Sequence, residues 1–193
     1  KRINLALQGG GSHGAYAWGV LDKLLEDGRL TVDGMCGTSA GAMNAAVFAY
    51  GYMKGEADGA REALEKFWRR ISEAGATYSP MHANGIRAVP GMQWLQQAGY
   101  AVFEAMTRTF SPYQFNPFNL NPLRAVLEEC VNFDEIDDSN TVKLFICATN
   151  VRDGKPRIFR NQEVTVDSVL ASACLPNLFQ AVEVGGEAYW DGG

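Results

Sequence analysis

Short apolar runs alternate along this chain with apolar stripes at helical spacing, a pattern that predicts strands exchanging with helices. Ile3 to Leu7 is a strand-like run leading into Gly9-Gly10-Gly11-Ser12-His13-Gly14. Ala17, Val20, Leu21, Leu24 and Leu25 then recur on one helical face, with Asp22, Lys23, Glu26 and Asp27 opposite and Gly28 as the stop. A second strand is expected within Leu30 to Cys36. From Ala42 to Tyr50 nearly every residue except Asn44 is apolar, which places that helix in the interior. Ala60, Ala63, Leu64, Phe67, Trp68 and Ile71 form a further stripe behind Asp58, the expected N-cap.

Thr77 to Leu120 breaks the pattern. It holds prolines and one helical stripe, through Leu95, Ala98, Val102 and Met106, and residues 77–120 are read as an irregular insertion. Asn121-Pro122 then offers a cap and first-turn proline for a helix through Leu123, Val126, Leu127 and Cys130. Val142 to Val151 suits the middle of a parallel sheet. Asp153-Gly154 turns the chain into Arg157 to Arg160, Val166 to Ala173 reads as a helix ended by Pro176, and Gly185-Gly186 turns a hairpin ending at Trp190. The expectation is an α/β fold with a central, mainly parallel sheet, formed by residues 1–193 as a single domain.

Composition narrows the function. A net charge of -5, with Lys and Arg scattered, leaves no electrostatic footprint for nucleic acid. Cys36, Cys130, Cys147 and Cys174 lie far apart without a C-x-x-C pair, so no zinc or redox motif is signalled. Each lies in an apolar stretch, and all four are expected to be reduced core residues, which points to the cytoplasm. No apolar run reaches the roughly 18 residues of a membrane span.

Gly37-Thr38-Ser39-Ala40-Gly41 matches G-x-S-x-G. That pattern needs a sharp strand-to-helix turn exposing the serine hydroxyl, and a strand before with a buried helix after is the right context. Ser39 is a candidate nucleophile; the other reading is a plain helix cap. Amides of Gly9, Gly10 and Gly11, just past the first strand, suit the oxyanion of an acyl-transfer intermediate. Gly9-x-Gly11-x-x-Gly14 also satisfies a dinucleotide-binding fingerprint, with Asp33 near the spacing of a ribose-binding acid. A Rossmann-type domain is therefore the alternative. The chain has two histidines, His13 and His82, and both precede any acid that could complete the order Ser, Asp, His. Asp191, between Trp190 and Gly192-Gly193, is the better base, since a carboxylate grows more basic when water is excluded from it. As an Asp-Gly pair it could equally be a turn residue.

The glycine loop, Gly37-Thr38-Ser39-Ala40-Gly41 and Asp191-Gly192-Gly193, in that order, resemble the patatin-like phospholipase family. Ala171-Ser172-Ala173-Cys174-Leu175-Pro176 with Phe179 resembles the segment preceding the family's Asp-Gly-Gly motif. The resemblance implies a three-layer α/β/α domain, a Ser39-Asp191 dyad without histidine, an oxyanion hole from the loop, and hydrolysis of fatty-acyl esters through an acyl-enzyme. No metal or organic cofactor is implied. The partner would be a lipid or other ester, with peripheral membrane contact; phospholipids, lysophospholipids, glycerides and polyesters all offer that bond, and an acyltransferase would share the chemistry.

Two departures stand out: the family often carries Arg or Lys where His13 stands, and its domain continues past Asp-Gly-Gly. Further strands and helices are thus expected beyond Gly193. Ser12, His13, Gly14, Gly37 and Gly41 are expected near the site. Tyr78, Trp94, Tyr100, Phe103, Phe110, Tyr113, Phe115 and Phe118 crowd the insertion, which reads either as a lipid-contacting lid or as a cluster packed beneath a long loop.

Overall fold

The computed structural model describes residues 1–78, 105, 107, 109–136 and 142–193. His82 and the helix expected through Leu95, Ala98, Val102 and Met106 lie outside them. Along the chain run β1 (Arg2–Leu7), α1 (Gly14–Asp27), β2 (Thr31–Thr38), α2 (Ala40–Tyr78), α3 (Pro122–Cys130), β3 (Lys143–Asn150), β4 (Pro156–Arg160), α4 (Val166–Ser172), β5 (Val182–Val184) and β6 (Glu187–Asp191). A one-turn helix, Pro112–Phe115, precedes α3.

The punctuation residues act as expected. Gly28 ends α1 in the left-handed region at φ 69°, the Asn121 side chain accepts from the Leu123 amide at the start of α3, and Gly185 (φ 61°) and Gly186 (φ 82°) turn the β5-β6 hairpin. α4 stops at Ser172, before Pro176 is reached.

The sheet runs β1-β2-β3-β6-β5, with β4 also paired to β3. β1, β2 and β3 are parallel, whereas β4 and β6 run antiparallel to β3 and β5 antiparallel to β6. Both parallel crossovers step in the same direction across the sheet. Right-handed connections therefore put α1 and α2 on one face, where they pack together. Met35, Leu144, Ile146 and Ala148 point into that side and are fully buried. On the opposite face Ala6, Cys36, Phe145 and Ile158 are exposed, so among the described residues the helices form a single layer. This corrects the expectation for the cysteines: Cys130 and Cys174 are buried, Cys147 is intermediate, and Cys36 is exposed because its strand parity turns it to the open face.

Ala42 to Ala49 are all buried, as a helix apolar all round requires. The next stripe belongs to the same element, which Gly55 and Glu56 break with non-helical angles. The two arms fold back on each other: a Cβ on Gly51 would lie 2.6 Å from that of Ala63. Asp58 lies inside the second arm and caps nothing, since the reversal comes two residues before it. Between the arms Asn44, fully buried, donates to the Gly14 carbonyl (3.0 Å) and accepts from Trp68 Nε1 (2.8 Å). One amide thus ties the start of α1 to both arms of α2.

Asn44→Ala leaves a buried indole N–H without its acceptor and the Gly14 carbonyl with only its helical bond, and should lower unfolding free energy by about 1 to 3 kcal/mol. Urea denaturation measures it. A loss below about 0.5 kcal/mol would show that water replaces both bonds.

Candidate active site

Between the last residue of β2, Thr38, and the first of α2, Ala40, stands one residue. Ser39 makes the turn at φ 57°, a left-handed backbone that L-residues adopt at a cost of about 1 to 2 kcal/mol. Two glycines make the turn sterically feasible: a Cβ on Gly37 would overlap the Gly41 carbonyl, and one on Gly41 would overlap the Leu7 carbonyl of β1. The Ala42 and Met43 amides bond the Ser39 backbone carbonyl (2.9 and 3.2 Å). Those amides go to the carbonyl, as at any helix start, so the hydroxyl is not what caps them.

The glycine loop packs directly on this turn. A Cβ on Gly9 would lie 2.8 Å from that of Ser39, and one on Gly14 would lie 2.8 Å from Ala40 Cβ and the Trp68 ring. Gly10 (φ 143°) and Gly11 (φ 56°) bend the chain between them. His13 folds back on the loop, its amide and Nδ1 lying 3.1 and 3.0 Å from the Gly10 carbonyl, with its ring exposed.

Sheet register brings Asp191 to the same place. Cys147 pairs with Thr38 on one edge of β3 and with Ile158 of β4 on the other; Ala148 pairs with Asp191 and with Arg157 of β4. β6 therefore lies on the edge that β2 occupies, and the C-terminal ends of the two strands meet at consecutive residues of β3. A Cβ on Gly193 would lie 3.7 Å from Thr38 Cγ2, as this end-to-end meeting demands. Asp191 Oδ1 accepts from the Gly193 amide (2.9 Å), while Oδ2 is buried with no hydrogen-bond partner among the described residues. The Asp191 amide donates to the Cys174 carbonyl (2.9 Å). Burial pushes the Cys174 thiol up to about 11, with the Asp191 charge adding to it, so it stays protonated and donates to the Gln180 carbonyl (3.1 Å).

A cavity of about 780 Å³ collects these parts. Gly9, Gly10, Gly11, Ser12, Ser39, Asp191 and Gly193 border it, and Met43, Phe67, Ile71, Leu123, Leu175 and Phe179 supply apolar walls. His13 is not part of the lining. Gly14, Gly37 and Gly41 act through packing behind the lining. Among the described residues no group of three or more His, Cys, Asp or Glu could hold a metal ion. Asp33 stands near the start of β2, bonded to Arg2 Nε (2.7 Å) and remote from the glycine loop at the strand's other end. A ribose-binding acid belongs at the carboxyl ends of the strands, so the geometry speaks against a dinucleotide site.

The Ala171 to Pro176 segment is marked by its resemblance, but that resemblance assigns Ser172 no role. Yet its hydroxyl accepts from the Ser39 amide (2.9 Å) and donates to the Cys147 carbonyl (2.6 Å). Only the pairing of α4 with the elbow reveals it.

The carboxyl ends of this α/β sheet thus present a turn serine, a carboxylate and a glycine loop to one apolar cavity. The patatin-like phospholipase family model matches residues 5–193, and the chain belongs to that family. The crystal structure of VipD from Legionella pneumophila aligns over 98% of this chain and 45% of its own, at 17% identity and a TM-score of 0.51, a likeness of fold. The structure of the heterodimeric ExoU-SpcU complex from the type III secretion system of Pseudomonas aeruginosa aligns over 95% of this chain and 38% of its own, at 20% identity and a TM-score of 0.40. The chain thus spans less than half the length of either. No curated protein sequence matches it.

The left-handed backbone at Ser39 generates a stability prediction. Ser39→Gly and Ser39→Ala both remove the hydroxyl, but only glycine relieves the backbone, so the Gly variant should be more stable by about 1 kcal/mol in urea. Equal stability, or a more stable Ala variant, would mean that the turn relaxes out of that conformation.

Proposed function

We propose that this chain is a serine lipid acyl hydrolase that cleaves fatty-acyl ester bonds through a Ser39-Asp191 dyad. The observation that carries the reading is the meeting of the Ser39 elbow, a buried Asp191 oxygen without a donor among the described residues, and the glycine loop on one apolar cavity. Asp191 accepts the Ser39 hydroxyl proton as Oγ attacks the ester carbonyl, and the amides of Gly9 to Gly11 hold the oxyanion. The proton then passes from Asp191 to the departing alcohol, leaving an acyl group on Ser39. Water, giving its proton to Asp191, attacks that ester, and the carboxylic acid leaves as Ser39 regains its hydrogen. The acyl chain fits the walls formed by Met43, Phe67 and Ile71.

Substrate would reach the cavity from an aggregated lipid surface. No helix among the described residues is long and apolar enough to cross a membrane, so contact would be peripheral. Phe118 and Leu120 are 84% and 69% exposed, on a loop closed by Asn116, whose side chain bonds both the Leu120 amide (2.9 Å) and carbonyl (3.2 Å). Gln180 Nε2 ties that loop to the cavity side through the Asn116 carbonyl (2.9 Å), and Leu175 is both cavity wall and exposed surface. Residues 110–120 are in this reading a lipid-facing rim.

Ser39→Ala and Asp191→Asn should each lower turnover of a short p-nitrophenyl ester by roughly a thousandfold or more, while His13→Ala keeps activity within a few-fold of wild type. An inactive His13→Ala beside an active Asp191→Asn would replace the dyad with a Ser-His pair. For the rim, Phe118→Ser with Leu120→Ser should weaken partition to phosphatidylcholine vesicles and spare hydrolysis of the soluble ester. Unchanged vesicle binding would remove the rim from the account.

A further inference from the structure

Both halves of the proposed dyad are tied to the short stretch Ser172 to Cys174, where α4 ends. The Ser39 amide donates to Ser172 Oγ, the Gly192 amide to the Ser172 carbonyl (3.3 Å), and the Asp191 amide to the Cys174 carbonyl. Ser172 is fully buried, and its hydroxyl continues to the Cys147 carbonyl of β3. A hydroxyl has one hydrogen and two lone pairs, so accepting from Ser39 while donating to Cys147 fixes its rotor and satisfies it. It stands between β3 and the point where β2 leaves the sheet.

We propose that Ser172 is a positioning residue of the catalytic site, whose hydroxyl holds the Ser39 backbone in the left-handed turn that aims Oγ at the ester carbonyl. This rests on the reading of Ser39 as nucleophile and Asp191 as base. Among the described residues the Ser39 backbone bonds through its carbonyl to the first turn of α2 and through its amide to Ser172. The carbonyl bonds belong to any helix start and would persist if φ relaxed. The amide bond adds to the close packing of the turn a directional restraint on φ, supplied from the end of α4. Removing the hydroxyl frees the turn to move Oγ relative to the glycine-loop amides and Asp191, and displacements near 1 Å at a reacting atom cost on the order of 100-fold in rate. The Ser172 and Cys174 carbonyls remain in a Ser172→Ala chain, so the base keeps its place and the defect falls on the nucleophile.

Covalent labelling by a fluorophosphonate, followed by intact mass, separates positioning from folding because it reads both the rate constant and the fraction of chains labelled. Ser172→Ala should label to the same final stoichiometry as wild type with a rate constant lower by about 10- to 100-fold. Ser172→Thr and Ser172→Val have the same volume and differ in the hydroxyl, so the Thr variant should label at least about tenfold faster than Val. A wild-type rate constant in Ser172→Ala, or a loss confined to the labelled fraction, would overturn the proposal, as would equal rates for Thr and Val. Failure of the underlying reading looks different: wild-type chain that takes no label on Ser39 overturns the nucleophile itself.

Discussion

A residue held at φ 57° without the freedom of glycine stores about 1 to 2 kcal/mol, and at Ser39 the surrounding chain is built so that it cannot relax. Gly37 and Gly41 let β1, β2 and α2 approach more closely than any side chain would allow. The buried run Ala42 to Ala49 anchors the helix that follows. The strain lifts the hydroxyl out of the sheet and onto the floor of the cavity, at the amino end of a helix whose dipole favours negative charge there. Without that turn the same serine would lie in the plane of β2, facing neither the glycine loop nor Asp191.

The second requirement is topological. β3 is long enough to carry β2 along the first part of one edge and β6 along the remainder, so two strands arriving from opposite directions end against each other. Ser39 beyond the end of one and Asp191 at the end of the other then border the same cavity. The exposed Phe145 and Ile158 on the far side of the sheet show how one-sided the arrangement is: among the described residues the cavity and the helical packing share one face.

Much of this was legible in the residue order because it depends on local rules. Strand ends, the Asn121-Pro122 helix start, the Gly185-Gly186 turn and the buried helix after Ser39 all follow from periodicity and turn chemistry over a few positions. So did the grouping of Ser39, Asp191 and the glycine loop, through their order and context. What stayed hidden depends on pairing across the chain. The fold-back of α2 at Gly55 and Glu56 carries no strong stop signal, and Asp58 looked like the better boundary. Cys36 lies in an apolar run, and only its parity in the sheet turns it outward. Ser172 meets Ser39 across 133 positions of sequence, a separation at which no spacing rule operates.

If Ser39 carries the acyl group between ester and water, the acyl group can be caught there during turnover. Rapid acid quench of the chain during turnover of a p-nitrophenyl fatty-acyl ester, followed by peptide mapping, should place one acyl group on the peptide spanning Gly37 to Gly41, with fragmentation assigning it to Ser39. Steady turnover with no acyl group on that peptide, or with the group on a cysteine or on His13, would contradict the account.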